Sequence, residues 1–282
     1  MNNQRKTDAV FRFLKWQIGS RLVPGQVVYT WVNGAKVIVR PGETGFTGNI
    51  YCGLYDFADM AYVLHVMEEE DLFVDIGANV GAYTILACAA KGARGYCFEP
   101  APTTYQRLLE NIRLNDLSNR VKAFSVGLSD KEGELAFTSG EDTRNHVLTG
   151  NGGSSDVLKI KVFPLDKILA GQLPSVLKID VEGFETPVLK GAHETLSNRS
   201  LHSAIIELNG NGCRYGFNDG AILKIMKDYG FSTYYYEPFS RKIKPLKGKN
   251  NVSANTLVIR SEEVVKEKIA KAQQIAIGKV QL

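Results

Sequence analysis

Hydrophobic patterning predicts an α/β fold built on a mostly parallel, doubly wound, Rossmann-like sheet with an antiparallel edge pair. Three observations carry that prediction. From residue 72 onward, short apolar runs alternate with amphipathic stretches, the pattern of strands joined by crossover helices. The stretch Asp71-Leu72-Phe73-Val74-Asp75-Ile76-Gly77-Ala78-Asn79-Val80-Gly81-Ala82 reads as a buried strand, a glycine-rich turn and the start of a helix. A second run, Gly95-Tyr96-Cys97-Phe98, ends in Glu99. That puts an acid at the carboxyl edge of the neighbouring strand, where open parallel sheets bind ligands.

The elements follow in chain order. Residues 7–22 carry Val10, Phe11, Leu14, Ile18 and Leu22 at helical spacing and are expected to form an accessory helix packed on the domain. A basic amphipathic helix on a membrane surface is the alternative. Alternation from Gln26 to Arg40 with Asn33-Gly34 between suggests a hairpin. Leu72–Ile76, Arg94–Phe98, Val121–Val126, Val176–Ile179 and Ser203–Leu208 are the expected parallel strands. Ala82–Ala90, Thr103–Leu114, Thr186–Leu196 and Ile222–Tyr229 are the helices between and after them. Two β-like runs, Glu134–Thr138 and Val157–Phe163, flank the polar stretch Ser139–Ser155, and a loop this long in a compact domain is usually functional. Phe231–Tyr236 and Thr256–Arg260 should pair antiparallel and close the sheet, with Lys242–Asn251 as the loop between them. Residues 262–277 read as one charged helix with Val265, Ile269, Ala272 and Ala276 on a stripe, which either packs back or pairs with a second copy. The expected organisation is a helix-and-hairpin cap (1–70), a main domain (71–260) with a substrate-side insertion (135–175), and a C-terminal helix (261–282).

Composition narrows the function classes. The chain has 282 residues, 34 basic and 30 acidic side chains and a formal net charge of +4, too balanced to predict a nucleic-acid partner. Cys52, Cys88, Cys97 and Cys213 show no metal-ligand spacing and read as free thiols of a reducing compartment. No apolar run approaches the roughly 18 residues of a membrane span, and the N-terminus lacks an apolar h-region. A cytoplasmic protein is expected.

The glycine turn decides between nucleoside ligands. A dinucleotide site would show G-x-G-x-x-G with a helix N-terminus aimed at a pyrophosphate. Here Asn79 stands at the third position and Asp75 precedes the turn. A carboxylate there repels a pyrophosphate and suits a cationic ligand. S-adenosylmethionine has no phosphate and carries a sulfonium and an ammonium. Glu99, 24 residues after Asp75, is placed to accept hydrogen bonds from two ribose hydroxyls. The expected cofactor-binding set is Asp75, Gly77, Ala78, Asn79, Gly81, Glu99, Ser125 beside the adenine, and Asp180.

A further motif, Val176-Leu177-Lys178-Ile179-Asp180-Val181-Glu182-Gly183-Phe184-Glu185, reads as a short buried strand ending in acids. Together, DIGANVG, CFEP and LKIDVEGFETPVLKGA resemble the FkbM-type family of S-adenosylmethionine-dependent methyltransferases, over roughly Tyr51 to Leu208. The resemblance implies a class I methyltransferase fold and methyl transfer to a hydroxyl oxygen, often on a sugar or polyketide.

That chemistry needs the acceptor oxygen held in line with the methyl group and a base for its proton. Asp180 and Glu182 are the foremost catalytic candidates, at the expected carboxyl end of the fourth strand. An acidic helix start complementing the helix dipole is the bland alternative and suits Glu185 best. His146 and Glu207 are the rival bases: one a histidine in the long loop, the other an acid ending an apolar run. Asp180, Glu182 and Glu207 would also suit Mg²⁺. Carboxylates alone do not establish a metal, and a metal-free site is preferred. The acceptor pocket is expected from the 139–155 loop and the run Tyr234-Tyr235-Tyr236-Glu237-Pro238-Phe239. Competing functions are a ribose-methylating RNA enzyme, which the basic run Arg241–Lys249 would serve, a dinucleotide oxidoreductase, and a non-catalytic cofactor-binding protein.

Overall fold

A computed structural model describes residues 6–22, 25–40, 46–138, 145–148, 157–278 and 280–282. The N-terminal elements are α1 (Lys6–Leu22), the hairpin β1 (Val27–Thr30) and β2 (Lys36–Val39), α2 (Thr47–Cys52) and α3 (Phe57–Val66). The hairpin is antiparallel as expected, with Asn33 at φ 49° in its turn.

The main sheet begins with β3 (Leu72–Ile76), followed by α4 (Ala82–Ile85), which continues as a π-turn over Leu86–Ala90. Then come β4 (Arg94–Phe98), α5 (Pro102–Leu114) and β5 (Val121–Phe124). A small second sheet follows: β6 (Gly127–Leu128), β7 (Gly133–Thr138) and β8 (Val157–Phe163), in the order β6-β8-β7. The chain returns through α6 (Leu165–Leu169) to β9 (Val176–Ile179), α7 (Glu185–Lys190), α8 (His193–Ser197), β10 (Ser203–Glu207) and α9 (Asp219–Asp228). It closes with β11 (Ser232–Glu237), β12 (Lys242–Pro245), β13 (Asn255–Ile259), α10 (Glu262–Lys271) and a two-residue hairpin, β14 (Ala276–Ile277) with β15 (Val280–Gln281).

The eight-stranded sheet runs β12-β11-β13-β10-β9-β3-β4-β5. Strands β5, β4, β3, β9 and β10 are parallel, and β13, β11 and β12 are antiparallel. The chain steps outward from β3 to β4 and β5, then crosses back to β9 on the other side of β3. The strand order reverses there, and a crevice opens at the carboxyl ends of β3 and β9. Side-chain alternation explains why both faces are covered. Phe73, Cys97, Val176 and Ile205 join α3 in one core, while Leu72, Val74, Ile76, Phe98, Leu177 and Ile206 join α6 to α9 in the other.

Several expectations need correction. Val10, Phe11, Leu14 and Ile18 of α1 are exposed rather than packed. The helix docks by its other arc: Arg12 donates to the Tyr51 carbonyl, Gln17 donates to the Tyr51 hydroxyl, and Phe13 lies 5.2 Å from the Tyr51 ring. The helix expected over 186–196 breaks into α7 and α8 at Gly191, where a Cβ would come 2.1 Å from the Ser129 carbonyl oxygen. The expected 242–251 loop contains an edge strand, β12, because Lys242–Pro245 finds a free ladder on β11. The C-terminal helix stops at Lys271, so Ala272 and Ala276 leave its stripe, and Val265 and Ile269 pack back into the core shared with α3.

Candidate active site

The turn after β3 is shaped by a close approach. Gly77 has φ 80°, and a Cβ on it would lie 1.8 Å from the carbonyl oxygen of Asp180. Only glycine lets the ends of β3 and β9 touch in this way. The N–H groups of Gly77 and Ala78 donate to the Phe98 carbonyl, and that of Asn79, at φ 50°, donates to Glu99 Oε2 at 3.0 Å. Glu99 Oε1 accepts from the Ala101 N–H at 2.9 Å. The acid thus stitches the turn to the end of β4 while its carboxylate lines the cavity. Gly81, at φ 93°, seats the helix start against Leu108.

This turn is one wall of a cavity of about 560 Å³. Beside Glu99 the cavity is apolar, walled by Phe98, Val126, Leu128, Phe137, Ile160 and Val162. Burial pushes Glu99 up to about 7 against the pull of the two N–H groups. Asp75 lines the same cavity. Its Oδ2 accepts from the Thr84 N–H at 3.0 Å and hydroxyl at 2.6 Å, and burial raises it to about 6. It therefore ties down the helix start, the capping role that competes with ligand contact.

At the other end of the cavity stand the acids of β9 and β10. Asp180 ends β9 and pairs with Lys178 Nζ at 2.9 Å. Lys178 is fully buried, also donates to Asn255 Oδ1 at 3.1 Å, and lies over the Tyr83 ring. Burial alone would lower this ammonium, but Asp180, Asp56 and Glu207 hold it above its ordinary value. Glu182 is held at φ 53°, a conformation uncommon outside glycine, and accepts from Asn211 Nδ2 at 2.9 Å. Buried Glu185 accepts from the Val181 and Gly183 N–H groups, so it caps the loop. One ligand atom from each of Asp180, Glu182 and Glu207 lies within 4.8 Å of the others. Burial, and then the neighbouring Asp180, push Glu207 up to about 9, so it is protonated at neutrality. Its Oε2 is buried with no hydrogen-bond partner. The cluster has the oxygen donors a divalent cation takes, but the Lys178 ammonium already compensates Asp180, and no metal is assigned.

The match with the Methyltransferase FkbM domain covers residues 75–233, more than half the chain and every residue of the turn and acid cluster. The chain belongs to the FkbM methyltransferase family. It is 30% identical over 176 residues to the hexuronic acid methyltransferase AglP of Haloferax volcanii, covering 61% of this chain and 67% of that protein. It is also 30% identical over 176 residues to methyltransferase sdnD of Sordaria araneosa, covering 49% of this chain and 66% of that protein. An O-methyltransferase family protein of Burkholderia thailandensis superposes on 74% of this chain and 56% of its own at 12% identity, with a TM-score of 0.43, too low to bear on function.

Within this FkbM domain, Asp75, Gly77, Ala78, Asn79, Glu99, Asp180, Glu182 and Glu207 converge on one cavity. Three expected members do not line it: Gly81, which seats the helix start against Leu108, Ser125 and His146. Ser125 is exposed at the bend after β5, and Val126, Gly127 and Leu128 take its place. His146 lies antiparallel beside the end of β7, its N–H donating to Thr138 Oγ1 and its carbonyl accepting from the Thr138 N–H. Its neighbours Asn145 and Val147 line the cavity. The rest of the 139–155 loop lies outside the described residues. Tyr234 and Tyr236 are core residues, and none of the 234–239 run lines the cavity. The aromatic wall comes instead from Tyr51, Tyr55 and Tyr83, joined by Asp56. The signal for these was faint: an apolar run, Phe57–Met67, preceded by an acid.

Proposed function

We propose that this FkbM methyltransferase uses S-adenosylmethionine to methylate a hydroxyl oxygen of a sugar or related secondary metabolite, with Asp180 as the base. The observation that carries this reading is the ion-paired Asp180 carboxylate on the cavity wall, touching the glycine turn through its own backbone. The bound cofactor would supply a methyl group on a sulfonium, which leaves as a neutral thioether. Glu99 would hold the ribose, and the apolar compartment beside it the base. The acceptor hydroxyl's proton passes to an Asp180 oxygen as its C–O bond forms. Glu207, neutral at pH 7, donates a hydrogen bond to the acceptor and does not compete for the proton. Neighbouring carboxylates whose environments differ commonly divide the work in this way.

An RNA acceptor has little support. The Arg241 guanidinium is spent on the Ala272, Gln273 and Leu282 carbonyls, Lys244 on Glu237, and Lys249 on Asp219. The run is mostly internal wiring. The two-step test is calorimetric binding of S-adenosylmethionine against NAD(H), then turnover with hydroxylated sugars. Asp180→Asn should lose about 10²–10⁴-fold in turnover at saturating cofactor. Glu207→Gln, which preserves a neutral donor, should lose at least tenfold less, on the order expected of one hydrogen bond. Full activity in Asp180→Asn removes the assigned base.

A further inference from the structure

The wall facing the acids of β9 and β10 comes from the segment around α2 and α3, outside the 75–233 family match. Its central pair is Tyr55 and Asp56. Tyr55 is 67% exposed, yet its position is fixed. Its N–H donates to Asn49 Oδ1 at 2.8 Å, and its ring lies on Gly48, where a Cβ would come 2.5 Å from it. Asp56 begins α3, its carbonyl accepting from the Met60 N–H. Its Oδ2 accepts from the Tyr83 hydroxyl at 3.1 Å. Behind it, Asp59 is buried and pushed up to about 7, first by burial and then by Asp56.

The charge balance of this end of the cavity is lopsided. Among the described residues, Asp56, Asp180, Glu182 and Glu207 line it, and Lys178 is the cation among them, already committed to Asp180 and Asn255. Among the described lining residues, an acceptor carboxylate would meet Asp56, Asp180 and Glu182 with no uncommitted cation, and Glu207 would offer it only a neutral O–H. A hydroxyl or an ammonium would find acceptors. A planar ring face next to a carboxylate is a fitting surface for a pyranose, which offers apolar C–H groups on one face and hydroxyl donors at its rim.

We propose that Tyr55 and Asp56 form the acceptor-ring subsite, which takes an uncharged or amine-bearing sugar and rejects a uronate. This rests on the sugar O-methylation proposed above and adds a specificity that the hexuronic acid methyltransferase relative, by its name, does not share. The segment lies outside the family match, which lets acceptor choice vary while the cofactor turn stays the same.

The test is binding by calorimetry and saturation-transfer NMR in the presence of S-adenosylhomocysteine, with methyl glucoside, methyl glucosaminide and methyl glucuronide as probes. The uronate should bind at least about tenfold more weakly than the other two, because like charges in a desolvated site cost several kcal/mol. Asp56→Asn, which keeps an acceptor oxygen and loses the charge, should weaken the glucoside by about fivefold, the difference between a charged and a neutral hydrogen bond, and narrow the gap to the uronate. Tyr55→Ala should weaken all three together, and Tyr55→Phe should restore them. S-adenosylhomocysteine affinity should stay within about twofold throughout, as expected for sites that do not share contacts. Equal or tighter uronate binding overturns the inference. So does an unchanged ranking in Asp56→Asn, or binding of none of the three probes while S-adenosylhomocysteine still binds, an outcome that leaves methyl transfer standing. Failure of the wild-type protein to bind S-adenosylhomocysteine sinks the methyl-transfer reading itself and this inference with it.

Discussion

Glu99 does two jobs with two oxygens. Each accepts a backbone N–H, from Asn79 and from Ala101, and the residue also lines the cavity. Glu99→Gln puts an amide donor against one of those N–H groups and removes the charge. It should raise the dissociation constant for S-adenosylmethionine by about 10–100-fold, from the loss of hydrogen bonds to a charged group. Unchanged affinity in a calorimetric titration would take Glu99 out of the site. Lys178 gives a second residue-scale expectation. Removing its ammonium leaves Asp180 without its ion-pair partner, but the Asp180 side chain is 36% exposed, so Lys178→Met should lower stability by about 1–2 kcal/mol in denaturant unfolding. Glu99 was legible in the sequence because an acid ending an apolar run has a fixed geometric meaning. Lys178 was harder to read. Its position just before the end of a buried strand suits either pairing or snorkelling, and only the fold brings Asn255, from a strand 77 residues later, beside it.

At the scale of elements, the sharpest constraint is the contact between the turn after β3 and the end of β9. Gly77→Ala asks for a Cβ 1.8 Å from a carbonyl oxygen on a residue with φ 80°. Backbone must move, so the variant should lose at least about 2 kcal/mol and bind S-adenosylmethionine poorly. Thermal melts with and without ligand would check both halves. The parallel strands were legible because each is short, apolar and bounded by turn residues. The edges were not. Whether Lys242–Pro245 is loop or strand depends on a ladder offered by β11, which local composition does not encode. The arc by which α1 docks was hidden for a similar reason. Its contacts are made by Arg12, Gln17 and Phe13 to one tyrosine, not by its aliphatic stripe.

Over the whole molecule, buried acids set the response to pH. Glu207 keeps its proton up to about 9 in the fold, against 4.5 ordinarily, and Glu99, Glu185 and Asp59 keep theirs to about 7. In each case the folded chain holds a proton that the unfolded chain has already lost. Stability from these groups is fully present below the ordinary carboxylate range and is lost as pH rises through the folded values. The ligand-free protein should therefore melt at progressively lower temperature from about pH 5 to about pH 9, with Glu207 carrying the part above about pH 7. Glu207→Gln should flatten the upper part of that slope, and an unaltered slope would mean that Glu207 ionises normally.

Gly77 resting on the Asp180 carbonyl also bears on turnover. The glycine turn and the acid loop are joined as one rigid jaw, further fixed by Glu185 holding the Val181 and Gly183 N–H groups. Neither can swing aside alone. Movement that widens the cavity is therefore left to its other walls, the Tyr51–Asp56 segment and the small second sheet.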